Sequence, residues 1–188
     1  MFLNGIDVSH MQGAIDWQAV AQDPARIAFA YAKATEGVTY TDPAFAANYA
    51  AIKAAGLKRG AYHFFRPEDA VQPQVQNFLK ALGTPQPDDL PPMLDVEVAD
   101  GVSPQVLAAG VRQWLEQVSQ ALSCTPLIYT TAGFWNASVG DAALWNSYPL
   151  WIAEYTSSPQ PILPAGATHY AFWQYSQSGK VAGIAVRP

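Results

Sequence analysis

The chain has 188 residues, a net charge of −5 and a charged fraction of only 13%, about half the fraction found in an ordinary soluble domain. This length is in the range of one domain with a single core. The acidic balance, without any run rich in Lys or Arg, excludes the electrostatic pattern of a nucleic-acid-binding protein. The single cysteine, Cys124, excludes an intramolecular disulfide and favours synthesis in a reducing compartment.

The first seven residues lack the basic and apolar regions of a secretory signal. No stretch approaches the roughly 18 consecutive apolar residues of a membrane span. We therefore expect a protein that is made in the cytoplasm and reaches any substrate outside it through release or export by other factors. A monomer is the default expectation for the oligomeric state.

Short apolar runs alternate with helix-like segments along the chain. The apolar runs predict strands at residues 5–8, 27–33, 60–65, 92–98, 126–130, 150–153 and 170–175. Helices are predicted at residues 43–55, with Asp42 as N-cap, at 71–82, and from Ser103 to about 122. The last helix carries an apolar stripe that should pack on the sheet: Val106, Leu107, Val111, Trp114, Leu115, Val118 and Leu122.

Strands that alternate with helices predict a parallel α/β sheet, and seven or eight strands in one domain indicate a barrel. After Cys124 the helical segments become short, so eight full helices do not fit in the remaining length. The predicted fold is therefore an irregular TIM-like (β/α) barrel with fewer helices than strands.

Two acids, Asp95 and Glu97, lie in the strand predicted at residues 92–98. Because side chains alternate along a strand, both should point to one face, with their Cα atoms about 6.6 Å apart. At this separation each charge opposes ionisation of the other, which helps hold one carboxyl protonated near neutral pH. Glycoside cleavage needs such a pair, one acid for the leaving oxygen and one carboxylate as nucleophile, stabiliser or base. Taken alone, the pair also fits a surface or ion-paired role at a strand end.

A third acid, Asp7, lies in the apolar first strand. In a parallel barrel all strands deliver their carboxyl ends to one rim, so Asp7 could join the pair. It could equally cap a turn with Ser9.

Aromatic residues occur in pairs near the ends of three predicted strands, where they would suit the apolar faces of sugar rings. Each one taken singly also fits the core. The pairs are Tyr62 and Phe64, Trp151 and Tyr155, and Trp173 and Tyr175.

Other chemistries have little support. The three histidines, His10, His63 and His169, are scattered without the spacing of a zinc site, and His63 is interpreted as a satisfied barrel residue. Cys124 is interpreted as a buried thiol, and no nucleophile elbow or phosphate-binding loop is present.

Taken together in this order and spacing, six segments resemble the glycoside hydrolase family 25 muramidases, which include bacterial and phage lysozymes and cell-wall lysins. The resemblance runs nearly end to end. The segments are residues 5–9, 32–37, 55–64, 92–97, 151–155 and 173–176.

The resemblance implies that residues 1–188 form a single glycoside hydrolase catalytic domain that needs no metal or cofactor. It implies hydrolysis of the β-1,4 bond from N-acetylmuramic acid to N-acetylglucosamine in peptidoglycan glycan strands, with net retention. Glu97 would be the general acid/base, Asp95 would stabilise charge at the anomeric carbon, directly or through the substrate acetamido group, and Asp7 would support both. The groove would be lined by Lys33, Tyr62, Tyr129, Trp151, Tyr155 and Trp173.

One departure from the family pattern concerns the end of the chain. The family usually places a further acid in its last strand, whereas this chain reads Gly183 to Pro188. We expect that this acid is either replaced by Arg187 or lies beyond a truncated end. The site would then have fewer negative charges to raise the pKa of Glu97. Two alternatives stay open: a carbohydrate-binding pseudoenzyme without turnover, and a related hydrolase of chitin-like polymers.

Overall fold

A computed structural model describes residues 2–185. Within these residues the strands are β1 (Asn4–Val8), β2 (Ile27–Glu36), β3 (Tyr40–Thr41), β4 (Lys58–Phe64), β5 (Met93–Asp95), β6 (Leu127–Thr130), β7 (Leu150–Ala153) and β8 (Phe172–Gln174). The α-helices are α1 (Trp17–Ala21), α2 (Phe45–Ala54), α3 (Val71–Leu82), α4 (Pro104–Leu122) and α5 (Ala132–Ser138). Two short 3₁₀ helices are His10–Gln12 and Ala142–Asn146.

The sheet has the order β1-β2-β4-β5-β6-β7-β8, and every neighbouring pair along it is parallel. The short β3 adds an antiparallel partner at the end of β2. Over the described residues, seven parallel strands curl into a half-barrel whose first and last strands share no backbone ladder. The predicted irregular barrel with fewer helices than strands is confirmed, and the carboxyl ends of its strands lie along one edge.

Alternation of side chains along the strands gives the sheet two apolar faces. The concave face carries one cluster of large side chains: Phe29, Tyr31, Tyr62, Met93, Leu127, Tyr129, Trp151 and Phe172. Gly60 makes room for this cluster, because a Cβ at that position would lie 2.3 Å from the ring of Tyr31. The concave face is therefore filled with aromatic rings packed against a small residue.

The helices cover the convex face of the sheet. Helix α4 begins where it was predicted, with Ser103 as N-cap and its Oγ accepting a hydrogen bond from the Val106 amide. Most of the predicted stripe is buried, but Val106 is 54% exposed and Leu122 only partly buried, so these two residues lie at the edge of the interface. None of the helices in residues 2–185 has the length and apolarity to cross a bilayer.

The segment between β2 and α2 differs from the prediction. Strand β2 continues past Lys33 to Glu36 and turns back into β3, which the sequence did not indicate. The prediction of Asp42 as N-cap is wrong, because α2 begins at Phe45 with Ala44 in the cap position. The buried Asp42 carboxylate instead accepts hydrogen bonds from the backbone amides of Ala44 (2.9 Å) and His10 (3.0 Å), and so stabilises the loop.

Candidate active site

The strand that carries the acid pair is shorter than predicted. Strand β5 ends at Asp95; beyond it the Val96 amide donates to the Tyr129 carbonyl (2.9 Å) and the Val96 carbonyl accepts from the Thr130 hydroxyl (2.9 Å). The expectation that one continuous strand at 92–98 presents both acids is therefore wrong. Asp95 is only 6% exposed at the carboxyl end of β5, whereas Glu97 lies beyond the strand and is exposed. One carboxyl is in the interior and the other reaches solvent.

The two carboxyls remain close enough to affect each other. Burial raises the pKa of Asp95 well above its usual value, and the neighbouring Glu97 carboxylate raises it further. Asp7 adds to this rise, whereas the ammonium group of Lys33 opposes it. The pKa of Asp95 is therefore shifted in the direction that the sequence predicts for one acid of the pair.

Asp7 lies at the carboxyl end of β1, and the last strand reaches it. The side-chain amide of Gln174 donates to Asp7 Oδ2 at 2.8 Å. Burial raises the pKa of Asp7, the bond from Gln174 lowers it, and the charge of Glu97 raises it. Asp7 thus belongs to the acid cluster and does not cap a turn, because the turn after β1 is capped by Ser9 itself.

Gln174 is a site residue that the sequence analysis missed. Its Oε1 accepts from the hydroxyls of Tyr129 (3.0 Å) and Tyr155 (2.5 Å) while its amide group holds Asp7. The available signal was the alternation in β8, which places Gln174 on the same face as Phe172 of the concave cluster. A polar side chain on that face needs partners, and these three residues supply them.

Three of the predicted groove residues, Tyr62, Tyr129 and Tyr155, lie around the acids. Burial is the largest cause that raises the pKa of each phenol, and the charges of Asp7, Asp95 and Glu97 add to it. The phenols therefore stay neutral and can donate hydrogen bonds beside the carboxyls. The half-barrel brings together these tyrosines and the three acids.

Lys33 also faces the acids, and a bulge in β2 brings Glu36 to the same side. Lys33 pairs in register with Tyr62, and Glu36 pairs with Phe64, but one extra residue of β2 lies between the two pairs. A regular strand would send residues three apart to opposite faces. The bulge places both on the concave side, where Lys33 Nζ is 2.5 Å from Glu36 Oε2. Glu36 is the second residue that was missed, because the strand was predicted to end at Lys33.

The two predicted tryptophans are not exposed sugar platforms. Trp151 is 3% exposed and packs against the ring of Tyr129, with centroids 5.9 Å apart, so it forms the floor beneath the site. Trp173 pairs in register with Ile152, a residue of the convex core, and packs with that core. The alternation of β8 points Trp173 away from Gln174, so its prediction as a groove residue is corrected.

The remaining predictions concern residues outside the acid cluster. The interpretation of His63 as a satisfied barrel residue is confirmed, because its two ring nitrogens lie 2.7 Å from Thr35 Oγ1 and 3.0 Å from Gln74 Oε1. The interpretation of Cys124 as a buried thiol is wrong, because this residue is only partly buried. Arg187, one of the two alternatives for the last family acid, lies outside the described residues. Among residues 2–185, no three His, Cys, Asp or Glu side chains are grouped as metal ligands.

A buried acid beside an exposed one, at the carboxyl edge of a curled parallel sheet, is compatible with glycoside hydrolysis. The family described as Glycosyl hydrolases family 25 matches residues 6–184. The chain belongs to this family.

Comparisons with individual proteins agree with this assignment. The chain is 40% identical to the uncharacterized protein YegX of Escherichia coli O157:H7 and 36% identical to lysozyme M1 of Streptomyces globisporus, in each case over 97% of its length. It spans 66% and 64% of these two relatives, about two thirds of their length. The crystal structure of the bacterial lysozyme from Streptomyces coelicolor superposes with a TM-score of 0.91 at 35% identity, covering 98% of this chain and 88% of the other.

Proposed function

We propose that this protein is a muramidase that hydrolyses the β-1,4 bond between N-acetylmuramic acid and N-acetylglucosamine in bacterial peptidoglycan. The observation that carries the proposal is the pairing of buried Asp95 with exposed Glu97 at the open edge of a family 25 barrel. The names of the similar proteins, lysozyme among them, support the same substrate. The protein would act as a monomer on the cell wall, after release or export by other factors.

The two acids have different roles because their environments differ. Glu97 is exposed and can contact the glycosidic oxygen, so it acts as general acid and then as general base. Burial and the nearby charge of Glu97 raise the pKa of Asp95. When substrate excludes water, Glu97 as general acid delivers a proton to the leaving oxygen.

Asp95 acts on the other side of the bond that breaks. Its Oδ1 is buried and has no hydrogen-bond partner among the described residues. A buried oxygen of this kind is costly unless something pairs with it. The N–H of the substrate acetamido group would supply the pair, and Asp95 would stabilise positive charge at the anomeric carbon through it. Asp7, held by Gln174, adds negative potential to the same position.

The groove walls hold the sugar by neutral hydrogen bonds and apolar contact. Tyr62, Tyr129 and Tyr155 offer phenol groups next to the acids, and Lys33 offers the nearest positive charge. Trp151 supports Tyr129 from below and excludes water from the interior. This combination of aromatic surface and few polar groups fits a pyranose ring.

The test is the release of reducing sugar from purified peptidoglycan, with mass spectrometry of the new ends. Wild type is compared with Glu97→Gln and with a matched control, Glu116→Gln, which removes an exposed carboxylate from the convex helix α4. We expect muramic acid reducing ends from wild type and control. Glu97→Gln should be slower by about 10²–10⁴-fold, the usual contribution of a general acid–base group.

Other outcomes point to other functions. Glucosamine reducing ends would assign a different bond, and turnover of chitin oligomers alone would contradict the muramidase proposal. Binding of the wall by all three proteins without release of sugar would identify a pseudoenzyme that keeps only the groove.

A further inference from the structure

A cluster of two cations and one carboxylate lies beside the acid pair. Glu36 Oε2 is 2.5 Å from Lys33 Nζ, and Glu36 Oε1 accepts from Arg66 Nη2 (2.5 Å) and Nε (2.9 Å). The ring of Phe64 lies between the cations, with Lys33 Nζ 4.9 Å and Arg66 Cζ 5.0 Å from its centroid. Glu36 thus holds both cations against one aromatic ring.

This cluster is next to Asp95 in the sheet. Glu36 pairs in register with Phe64 on β4, and Phe64 pairs with Asp95 on β5. Neighbouring strands lie about 4.8 Å apart, so the Cα atoms of Glu36 and Asp95 are roughly 10 Å apart. The Lys33 ammonium lies at the Glu36 carboxylate, and its charge lowers the pKa of Asp95.

Several carboxyl groups on the concave face could therefore form an ion pair with Lys33. Asp7, Asp95 and Glu97 are three carboxyls within electrostatic reach of one another, and Asp95 is also within reach of Lys33. A direct ion pair with Lys33 would favour the charged form of the paired acid and oppose its protonation. In the structure the ammonium is paired with Glu36 instead.

We propose that Glu36 is a positioning residue that captures the Lys33 ammonium and keeps it out of a direct ion pair with the catalytic carboxyls. This inference rests on the proposed function, since its effect is on the proton that the acid pair delivers. Arg66 assists by holding the other oxygen of Glu36, so the carboxylate cannot rotate away from Lys33.

The charged and titratable groups that face Asp95 come from most of the half-barrel. Strand β8 contributes the neutral Gln174. The titratable groups are Asp7 from β1, Lys33 from β2, Tyr62 from β4, Glu97 from the segment after β5, Tyr129 from β6 and Tyr155 from the segment after β7.

The first variant is Glu36→Gln, followed by the pH profile of kcat/KM and by a carboxyl ¹³C NMR titration. The freed Lys33 should pair with an acid of the cluster and lower its pKa. The basic limb of the kcat/KM profile should therefore move to lower pH by about one pH unit. The carboxyl resonances of the pair should titrate lower by a similar amount.

Glu36→Gln is then made a second time, in a protein that also carries Lys33→Met. This comparison separates an effect that acts through Lys33 from the simple removal of the Glu36 charge. Lys33→Met alone should move the basic limb to higher pH, because the cation that favours the ionised acids is gone. In this background Glu36→Gln should cause no further shift to lower pH. Equal shifts in both backgrounds would show that Glu36 acts only through its own charge and would overturn the proposal.

The matched control is Asp100→Asn, which removes another carboxylate paired with Arg66 (3.3 Å) but not with Lys33. It should leave the basic limb in place. Thermal unfolding checks each variant, and Lys33→Gln replaces Lys33→Met if the latter does not fold. The NMR titration does not need turnover. An inactive wild type would therefore contradict the proposed function, while the titration would still test this inference. An unchanged titration in Glu36→Gln would overturn the inference alone.

Discussion

The side-chain amide of Gln174 donates a hydrogen bond of 2.8 Å to Oδ2 of Asp7, and this bond joins the last strand of the half-barrel to the first. No backbone ladder links β8 to β1 in residues 2–185, so a side chain provides the connection. The same Gln174 accepts from the hydroxyls of Tyr129 and Tyr155. One amide therefore connects the first acid to two walls of the groove.

Replacing Gln174 with Leu should destabilise the protein and disturb Asp7. The change removes the hydrogen-bond partner of the buried Tyr129 phenol and of the half-buried Asp7 carboxyl, whereas the exposed Tyr155 hydroxyl can bond to water. A buried group that stays unpaired costs about 1–3 kcal/mol. For a chain of this size each kcal/mol lowers Tm by about 2–4 °C. Because the bond from Gln174 lowers the pKa of Asp7, the pKa should rise in the variant.

Calorimetry and a carboxyl NMR titration measure both effects. The control is Gln177→Leu, three residues further along the chain at an exposed position, which should change neither. An unchanged Tm for Gln174→Leu would mean that the bond to Asp7 is not needed to hold the half-barrel together.

Asp95→Asn should stabilise the protein at neutral pH while it abolishes activity. Burial raises the folded-state pKa of Asp95, so its contribution to stability is fully present below the unfolded pKa, near 3.8. That contribution is lost as pH rises through the folded pKa. The amide has the shape of the acid without the charge, so it removes this loss, about 1.4 kcal/mol for each pKa unit.

The measurement is the difference in Tm between Asp95→Asn and wild type as a function of pH. The difference should be positive at pH 7–8 and should disappear near pH 3–4, where Asp95 is protonated in both states. A variant that is less stable than wild type at every pH would mean that the ionised Asp95 is stabilised in the fold.

His63 should make stability fall as pH falls below 6.5. Burial lowers its pKa from 6.5 to about 4, so the folded state binds fewer protons than the unfolded state in this window. The stability from neutral His63 is present above pH 6.5 and decreases by about 3 kcal/mol as pH falls to about 4. His63→Phe removes the titration while it keeps a ring against Trp114, which stacks on His63 at 5.6 Å.

Chemical denaturation at several pH values tests this. His63→Phe should be less stable than wild type at pH 7.5, since Thr35 and Gln74 lose a hydrogen-bond partner. The deficit, which is the difference in the free energy of unfolding between the two proteins, should shrink toward pH 4.5. The exposed His169→Phe is the control and should show no such trend. A deficit that stays constant with pH would contradict the assignment.

Gly60→Ala should destabilise the protein through the concave cluster. The added Cβ would lie 2.3 Å from the ring of Tyr31, which is fully buried and anchored by a hydrogen bond to the Pro91 carbonyl (2.9 Å). The ring cannot move without disturbing its neighbours, so we expect a cost of about 1–3 kcal/mol. Gly133→Ala on α5 meets nothing within 4 Å and should be neutral or stabilising by up to about 1 kcal/mol. Equal unfolding midpoints for the two variants would show that Tyr31 has room to shift.

Local signals were sufficient for the helices and for some strands. The Ser103-Pro104 start and the apolar spacing that follows predicted α4, and the bounds of α3 and β7 were also predicted correctly. These signals succeed because a cap, a periodicity and an apolar run each depend on residues close together in the chain.

The roles within the site depended on contacts that no local pattern contains. Asp95 is buried at the end of β5, whereas Glu97 lies beyond the strand and is exposed. Trp173 faces the convex core and Gln174 the acids because of the register of β8.

By itself the sequence determined the kind of fold and predicted the candidate acids, because strand alternation and residue type can be read along the chain. Only the tertiary structure decided which acid is buried and that Lys33 pairs with Glu36. Burial and ion pairing are properties of neighbours in space, and those neighbours here come from β1, β2, β5 and β8, far apart in sequence.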